Sequence, residues 1–494
     1  MCGITGHVGV AADPGLTERL SRCHHAAAGE PAAAATVLAA GSVELAARVR
    51  GTDGTDGTDG TDGAGRTEYA TATSPSGRHA LVLDGELYET DGIRQELTAL
   101  GHVVDGGDAA VALAVWQAWG PEGLDRLEGS WALALHDRES DEVTLARDPF
   151  GSRQLYAAAV PEGGWLFAST IRPILESGYH DRRPDDRTIY RYLCFRVHDD
   201  GPATFFAGIE RVGAGEAMTL TAGGGAARRR PWSSLADELE ASPDGRAYGV
   251  RAVEDYHHLL TAAVRRRSGG RTGTSLSGGI GAAAIASVVD GLDRGGQPEA
   301  PVQQTWSVLF PDTRADEVRH VDAVVGALGD RVEAHRVEPT PTEFKLDLRD
   351  FVRIQEEPLV STGAYTQFRV LREAASSAVP PTAMLDGHGG DETLGGFGPH
   401  HLVHLRELSR SGGPRGAARA ATELARSADV LARRGAPVLA DRVRGRRDVP
   451  VRSLLGQEFA AEHADETYAA PRGSLHRRLA SDVLSASLPA RLRY

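Results

Sequence analysis

The sequence predicts an α+β domain in its N-terminal part, then an α/β domain with a parallel sheet, and a helical segment at its C-terminal end. A chain of 494 residues is too long for one typical core, so two domains are the default. Short strands separated by polar turns dominate residues 79–169. From residue 271 onward strands and helices alternate, which is typical of a parallel sheet covered on both faces.

Charge and composition narrow the classes of function. The formal net charge of −14 argues against nucleic-acid binding. No apolar run is long enough to span a bilayer and no signal peptide precedes Cys2, so we expect a cytoplasmic protein with no membrane partner. Cys2, Cys23 and Cys194 are widely spaced and form no metal-binding pattern, which fits a reducing compartment. The sequence leaves the oligomeric state open.

The chain opens with Met1-Cys2-Gly3. If Met1 is removed, Cys2 carries both a thiol and a free α-amine. That amine can act, directly or through a water, as the base for its own thiol. The alternative is a cysteine that merely follows the start codon. Residues 51–62 then hold four Gly-Thr-Asp triplets, and so polar a tract cannot bury a core.

The next clear element is a strand over residues 79–88, where an apolar run leads into Asp84-Gly85-Glu86. Asp84 has a plain alternative role as a turn residue before Gly85. Farther along, Asp108 is predicted to cap a helix that Gly120 stops. Two strands then flank a polar turn at residues 138–141.

These stretches, taken in order, resemble the class II glutamine amidotransferases, which use an N-terminal Cys nucleophile. The resemblance implies that Cys2 hydrolyses glutamine and that Gly85 belongs to the catalytic machinery. In that family Asn-Gly-Glu binds glutamine and stabilises the oxyanion. Here Asp84 replaces the Asn, and a carboxylate cannot donate to an oxyanion. The implied glutamine-binding residues are Arg48, Asp84, Gly85, Glu86 and Asp108. Arg50 is the alternative to Arg48 as the residue that binds the glutamine carboxylate. The interpretation without a function is that the arginine is solvated on a strand edge.

Residues 221–245 are rich in Gly, Ala and Asp. Residues 216–250 are therefore predicted to link a domain of residues 1–215 to a domain of residues 251–494. In the second domain we predict strands at residues 271–276, 305–310, 331–337 and 382–385, and helices at residues 253–267, 315–328 and 364–378. Ligands of such sheets lie beyond the carboxyl ends of the strands. Leu276, Val308 and Asp386-Gly387 occupy those ends.

Two glycine-rich turns stand at these strand ends. Ser277-Gly278-Gly279 lies between a strand and a helix of small residues, a geometry that favours an anion, although most Gly pairs are ordinary turns. The second turn is Asp386–Glu392. Its glycines expose backbone N–H groups and Asp391 offers a hard oxygen for magnesium. The plain alternative is an acidic Gly-rich turn.

Both turns resemble the asparagine synthetase B family, whose motifs read Leu-Ser-Gly-Gly-x-Asp-Ser and Ser-Gly-Glu-Gly-x-Asp-Glu. Gly281 and Ala282 stand where that family has Asp and Ser, and His388 stands where it has Glu. Glu356-Glu357-Pro358 matches its Asp-Glu-Pro. The resemblance implies ATP and Mg²⁺ as cofactors, with Asp391 as a metal ligand. The implied ATP-binding residues are Leu276, Ser277, Gly278, Gly279, Val308, Asp386, Gly387 and His388.

The family also implies a four-layer αββα, Ntn-hydrolase-like N-terminal domain. Its chemistry is that of an ATP-dependent ligase that forms an amide through an acyl-adenylate, with glutamine and a carboxylate as substrates. Two alternatives stay open. One is a degenerate homologue that binds a nucleotide or a peptide. The other is a cyclase like the lasso-peptide cyclases and β-lactam synthetases, which act on the substrate's own amine.

The C-terminal end of the sequence carries two further expectations. We expect the chain to stop where the family has a further block that contributes catalytic residues. The Arg-rich residues 433–447 are read as a solvated helical face or, alternatively, as a surface for an acidic peptide such as a precursor peptide.

Overall fold

The computed structural model describes residues 3–10, 15–28, 36–48, 71–241, 249–268, 271–294, 302–311, 313, 317–359, 361, 363–410, 413–426, 451–468 and 473–492. Cys2, Arg50, the Gly-Thr-Asp tract and the Arg-rich residues 433–447 lie outside these ranges. Arg48 is described by its backbone only.

Two antiparallel six-stranded sheets form the N-terminal domain. The first has the strand order β10-β8-β9-β1-β3-β2 and the second β12-β11-β7-β6-β5-β4. The strands are β1 (Gly3–Val8), β2 (Thr36–Ala40), β3 (Val43–Arg48), β4 (Thr71–Thr73), β5 (His79–Leu87), β6 (Gly129–Asp137), β7 (Glu142–Arg147), β8 (Tyr156–Ala159), β9 (Trp165–Ala168), β10 (Ile209–Arg211), β11 (Glu216–Thr221) and β12 (Arg228–Pro231). The strand predicted at residues 79–88 and the turn predicted at residues 138–141 are confirmed.

The two sheets pack face to face with helices on both outer sides. Apolar side chains that include Ile4, Val82 and Phe167 fill the space between the sheets. Helices α1 (Leu16–Ala28) and α4 (Ile171–Glu176) cover the first sheet. Helices α2 (Asp91–Ala99) and α3 (Asp108–Trp119) cover the second. Because successive side chains of a strand point to opposite faces, even-numbered residues of β5 such as Val82 face the first sheet.

The residues predicted to begin the linker form part of the second sheet instead. Strand β11 pairs with β7, and β12 pairs with β11. Met218 and Leu220 are fully buried between the sheets. The alternation of apolar residues in Glu216–Thr221 therefore decided the local structure, and the Gly-rich stretch that follows is only the turn between two strands.

The second domain is built on four parallel strands in the order β15-β14-β13-β16. These are β13 (Thr272–Ser275), β14 (Gln303–Val308), β15 (Val332–Val337) and β16 (Ala383–Leu385). The predicted alternation of strands and helices is confirmed.

The remaining helices follow α4 in chain order. They are α5 (Asp186–Phe195), α6 (Leu235–Glu240), α7 (Val250–Arg267), α8 (Ile280–Arg294), α9 (Val318–Leu328), α10 (Pro341–Gln355), α11 (Gly363–Ala375), α12 (Gly390–Leu394), α13 (Gly398–Arg410), α14 (Gly413–Arg426), α15 (Gln457–Glu462), α16 (Leu475–Ser481) and α17 (Leu488–Leu492).

The two domains are joined by buried polar contacts at Glu356 and Glu357. The Glu356 carboxylate accepts hydrogen bonds from the first two backbone N–H groups of α4, those of Ile171 at 2.7 Å and Arg172 at 2.9 Å. Glu357 accepts from Phe205 N at 2.9 Å and pairs with Arg211 at 3.2 Å. Glu356-Glu357-Pro358, which matches the family's Asp-Glu-Pro and had no predicted role, thus contributes the contacts that hold the domains together.

None of the helices in the described ranges combines the length and the apolar character that a membrane crossing needs.

Candidate functional sites

The first candidate site lies at the end of the two-sheet sandwich where β1 begins. Gly3 of β1 is paired with Arg48 of β3. The backbone of Arg48, which is predicted to bind glutamine, therefore lies beside the start of β1. Asp84 of β5 faces the same place, because it shares the inward parity of Val82. Arg48, Asp84 and the first described residue are therefore neighbours at one end of the domain.

Asp84 is bound to β1 through a single serine. Ser169 Oγ donates a 2.9 Å hydrogen bond to Asp84 Oδ2 and accepts one of 2.9 Å from Ile4 N. Asp84 is only 4% exposed. Its other oxygen, Oδ1, is buried with no hydrogen-bond partner in the described part of the chain. Burying a carboxylate oxygen without a hydrogen-bond donor costs free energy. We therefore expect a ligand, or a residue outside the described ranges, to donate a hydrogen bond to Asp84 Oδ1.

Gly85 adopts a backbone conformation that an L-residue rarely takes, with φ of 129°. A Cβ at this position would overlap the carbonyl oxygen of Ser130 on β6. Tyr88 N donates to Glu128 O on the β6 side. Because N–H directions alternate along a strand, the N–H of Gly85 points away from β6.

Glu86 and Asp108 complete the predicted glutamine set, with one correction. Glu86 is exposed and accepts a 2.8 Å hydrogen bond from the Tyr88 hydroxyl. Asp108 is the first residue of α3, whereas Gly107 is the helix cap. The buried Asp108 carboxylate instead accepts a 2.7 Å bond from Leu87 N. The extended backbone of Gly107 starts the helix, which leaves Asp108 to join α3 to the end of β5.

Arg147 and Asp148 support this domain structurally. Asp148 is fully buried and accepts from Trp131 N, Phe150 N and Ser152 N at 2.9–3.2 Å. Arg147 donates to the carbonyls of Arg153, Gly151 and Val212. Burial lowers the pKa of the Arg147 guanidinium to about 10, so it remains charged at neutral pH.

The second candidate site lies at the carboxyl edge of the parallel sheet. Strands β13 and β16 are adjacent and parallel, with Thr274 paired to Leu385. The turns that follow them, residues 276–279 and residues 386–390, therefore leave the sheet at the same edge. The two predicted glycine-rich turns come together, although their first residues are 110 positions apart in the sequence.

The second turn touches the first residues of α8, the helix that follows the first turn. A Cβ on Gly387 would lie 2.7 Å from the backbone nitrogen of Ala282, and a Cβ on Gly281 would lie 3.2 Å from Gly387 O. Ala282 itself is 3% exposed and packs in the core beneath the sheet edge. The positions where the family motif has Asp and Ser are thus filled here by a close backbone contact.

The first turn retains features that suit an anion. Gly278 has φ of 72°, and a Cβ there would lie 3.0 Å from the Cβ of His320. Ser277 is exposed, and the 15-residue helix α8 begins directly after the turn. The free N–H groups of a helix N-terminus, placed after a glycine turn, favour a phosphate group. Leu276 is buried and directly follows β13, and Val308 is the half-buried last residue of β14.

The second turn holds an aspartate–histidine pair. Asp386 Oδ1 accepts a 2.8 Å hydrogen bond from His388 N, and Asp386 Oδ2 lies 2.8 Å from His388 Nδ1. The hydrogen bond to Asp386 raises the pKa of the His388 imidazole above its ordinary value, against the effect of burial. Burial alone would raise the pKa of Asp386, but the bonds to His388 bring it below its ordinary value.

Asp391 is the predicted metal ligand of the second turn. Asp391 is exposed in the first turn of α12, and its carboxylate lies against Gly396. Within the described ranges, no three His, Cys, Asp or Glu side chains gather as metal ligands. Asp391 is the residue of this turn whose carboxylate could supply an oxygen to a Mg²⁺ ion.

Sequence reasoning left Glu392, Ser487 and Arg491 without a role. Glu392 is fully buried, and its Oε1 accepts from Ser487 Oγ at 2.7 Å and lies 3.3 Å from Arg491 Nε. These contacts fasten the C-terminal helix α17 to the second turn. Glu392 belonged to the recognised motif, so its position signalled a role, whereas nothing local in the sequence marks Ser487 or Arg491.

Comparison with known proteins agrees with this two-part architecture. A model of the glutamine amidotransferase domain matches residues 1–232, and a model of asparagine synthase matches residues 255–488. The chain therefore joins a glutamine amidotransferase domain to an asparagine synthase domain. It belongs to the asparagine synthetase B family, at low sequence identity.

The curated relatives are distant. Asparagine synthetase [glutamine-hydrolyzing] 1 of Bacillus subtilis is 27% identical over 64% of this chain and 47% of that protein. A putative asparagine synthetase of Mycobacterium tuberculosis is 29% identical over 65% of this chain and 48% of that protein. The chain spans about half the length of these relatives. Among solved structures, glutamine phosphoribosylpyrophosphate amidotransferase from B. subtilis covers 75% of this chain, and 92% of that chain is covered, at 13% identity and a TM-score of 0.33.

Proposed function

We propose that this protein is an ATP-dependent ligase of the asparagine synthetase type, with an Ntn-hydrolase-like N-terminal domain. Glutamine is hydrolysed at Cys2, and MgATP activates a carboxylate at the edge of the parallel sheet. The observation that carries this proposal is that the turns at residues 276–279 and 386–390 leave neighbouring parallel strands at the same sheet edge, with Gly387 of the second turn in contact with the start of α8. Had these turns lain at opposite ends of the sheet, no triphosphate could reach both.

The residues at the sheet edge suit the phosphates of a nucleotide. The N–H groups at Gly278, Gly279 and the start of α8 form an anion cradle, and Ser277 adds an exposed hydroxyl. A carboxylate oxygen of the substrate attacks the α-phosphorus, an acyl-adenylate forms, and pyrophosphate leaves with the electron pair of the broken bond. Asp391 supplies one oxygen to Mg²⁺, and MgATP brings the rest of the metal coordination with it.

The glutamine site is proposed from Cys2, Arg48, Gly85, Glu86 and Asp108, with Arg50 as the alternative to Arg48. Two features predict slow hydrolysis: Asp84 offers a carboxylate in place of an amide donor, and the Asp108 carboxylate already binds Leu87 N. Losing one oxyanion donor typically costs about 10²–10³ in kcat. We therefore expect Asp84→Asn to raise the rate of ammonia release from glutamine by up to about 100-fold.

The two half-reactions are tested separately. Pyrophosphate–ATP exchange, measured with a panel of carboxylic acids that starts with L-aspartate, reports adenylation. Ammonia release from glutamine reports the N-terminal site and should vanish in Cys2→Ala, while exchange continues. The proposal would be overturned if none of the acids in the panel supported pyrophosphate exchange and if Cys2→Ala left ammonia release unchanged.

A second candidate function is a homologue that binds a nucleotide or a peptide without catalysis. The observation that favours it is the presence of Gly281 and Ala282 where the family motif has two polar side chains, at a close backbone contact with Gly387. ATP binding by calorimetry with no exchange would support this alternative. A cyclase that uses the substrate's own amine remains a prediction, as does the cytoplasmic location. Amide formation on a precursor peptide without glutamine or ammonium would favour the cyclase.

A further inference from the structure

We propose that Tyr88 and Arg267 together position the Glu86 carboxylate for the α-ammonium group of glutamine, so that a residue of the second domain sets the glutamine affinity of the first. This inference rests on the proposed function and adds two residues to the glutamine site. Glu86 would contact the substrate, whereas Tyr88 and Arg267 would act through Glu86 as positioning residues.

Glu86 is the carboxylate of the predicted glutamine set that is open to a cation. Asp84 is only 4% exposed, and the buried Asp108 carboxylate already accepts a hydrogen bond from Leu87 N. Glu86 is exposed, and its Oε1 accepts a 2.8 Å hydrogen bond from the Tyr88 hydroxyl. Its Oε2 has no hydrogen-bond partner in the described part of the chain. That oxygen can therefore accept from an ammonium group, which is a strong donor to a carboxylate.

The environment of Tyr88 keeps its hydroxyl in the form that donates. The Tyr88 side chain is half-buried. Burial raises the pKa of Tyr88 above its ordinary value, and the Glu86 carboxylate raises it further. The hydroxyl therefore stays protonated at neutral pH and is the donor in the bond to Glu86. Because the acceptor is charged, this bond is strong, and it restricts the rotation of the Glu86 side chain.

The second domain holds the Tyr88 ring in place. The guanidinium of Arg267, in the last turn of α7, lies over this ring at 4.6 Å from its centroid. A cation in that position is attracted to the face of the ring. The preceding residue, Arg266, pairs with Glu89 at 2.9 Å and with Glu128 at 2.7 Å. Two consecutive arginines of α7 thus contact the residues around the end of β5.

The same helix leads to the proposed nucleotide site. Strand β13 is the next element after α7, and the first glycine-rich turn, residues 276–279, follows that strand. Arg267 therefore connects the end of β5, where glutamine is proposed to bind, to the segment that carries the candidate phosphate turn. Glutamine affinity consequently depends on a residue outside the amidotransferase domain, which ends at residue 232.

The kinetics of ammonia release from glutamine test these roles. Tyr88→Phe keeps the ring and removes the hydroxyl, so KM should rise about tenfold, the order expected for a lost hydrogen bond to a charged group. We expect kcat to stay within about threefold of wild type, because the interaction is made equally in the ground state and the transition state. Arg267→Ala should raise KM about threefold. Arg267→Lys keeps a cation and should restore the wild-type KM.

Two inhibitors identify the group that Glu86 binds. L-Glutamate carries the α-ammonium group, and glutarate lacks it. In Tyr88→Phe, glutamate should inhibit ammonia release about tenfold more weakly than in wild type, whereas inhibition by glutarate should not change. An equal loss of inhibition with both compounds would contradict the role at the ammonium group.

A double variant separates positioning from a structural role. If Arg267 acts through the Tyr88 hydroxyl, Tyr88→Phe with Arg267→Ala should raise KM no further than Tyr88→Phe does alone. Arg265→Ala, at an exposed position of the same turn of α7, is the control and should leave KM unchanged. A wild-type KM in Tyr88→Phe, or effects that multiply in the double variant, would overturn this inference alone. If the wild-type protein released no ammonia, or released it independently of Cys2, the proposed glutamine site would fail and this inference with it.

Discussion

At the scale of single residues, Gly85 shows how the backbone prepares the candidate glutamine site. Its φ of 129° lies in a region that favours glycine. Its Cα faces the Ser130 carbonyl so closely that a side chain has no room. This conformation places the Gly85 N–H on the side away from β6. The neighbouring Asp84 is constrained differently, since Ser169 holds one oxygen and leaves the other without a donor.

Gly85→Ala should therefore lower the free energy of unfolding of the N-terminal domain by about 3–5 kcal/mol, because backbone strain and overpacking each cost about 1–3 kcal/mol. Thermal or urea unfolding measures the change. The matched control is Gly92→Ala in α2, where a Cβ meets nothing within 4 Å and helix propensity favours Ala. A Gly85→Ala protein as stable as its control would show that the positive φ is not required.

At the scale of elements, the contact between α8 and the turn before α12 organises the second site. The second turn needs glycine at the contact, because a Cβ on Gly387 would lie 2.7 Å from the backbone nitrogen of Ala282. This explains why restoring the family's side chains is not a simple gain. In Gly281→Asp the new Cβ would lie 3.2 Å from Gly387 O, and in Ala282→Ser a hydroxyl would enter an apolar core.

Gly387→Ala should push the two turns apart. We expect at least a tenfold weaker affinity for ATP, measured by calorimetry, with a loss of about 1–3 kcal/mol in unfolding free energy. Gly291→Ala, on an open face of α8, is the control and should leave affinity unchanged while stabilising the helix slightly. If Gly387→Ala bound ATP as tightly as wild type, the nucleotide phosphates would not lie at this contact.

At the scale of the whole molecule, Glu356 and Glu357 determine how the domains are held. Glu357 and Asp199 both pair with the buried Arg211, at 3.2 Å and 2.6 Å. Glu356 lies one residue earlier and accepts from two backbone N–H groups of α4. Burial raises the pKa of the Glu356 carboxyl to about 7, although the two hydrogen bonds oppose this effect.

The raised pKa predicts a pH dependence for the stability of the joined domains. The folded protein holds this proton more tightly than the unfolded chain, whose Glu titrates near 4.5. The stabilisation is therefore complete below about pH 4.5 and is lost as the pH rises through about 7. Urea unfolding of Glu356→Gln between pH 4.5 and 8 should show a shallower decline than wild type.

The control for this titration is Glu373→Gln at an exposed position of α11, which should keep the wild-type slope. A Glu356→Gln protein whose stability still falls with pH as steeply as wild type would assign the proton to another group.

Much of the fold and part of the site could be predicted from the sequence. The apolar run in His79–Leu87 and the βαβα order from Thr272 are local patterns, and both are confirmed. The two glycine turns were predicted to share one sheet edge because parallel strands end at the same side, and β13 and β16 are indeed neighbours. The linker prediction was wrong over residues 216–231. It relied on composition and overlooked the alternating apolar residues that form β11.

The sequence by itself determined the elements, the order of the motifs and the family, since each depends on residues within a few positions of one another. Only the tertiary structure decided which side chains meet. Ser169 reaches Asp84 across 85 residues, Ser487 reaches Glu392 across 95, and Glu356 reaches Ile171 across 185. Hydrogen bonds act over about 3 Å, so these partners are set by how sheets and helices pack and leave no local trace in the chain.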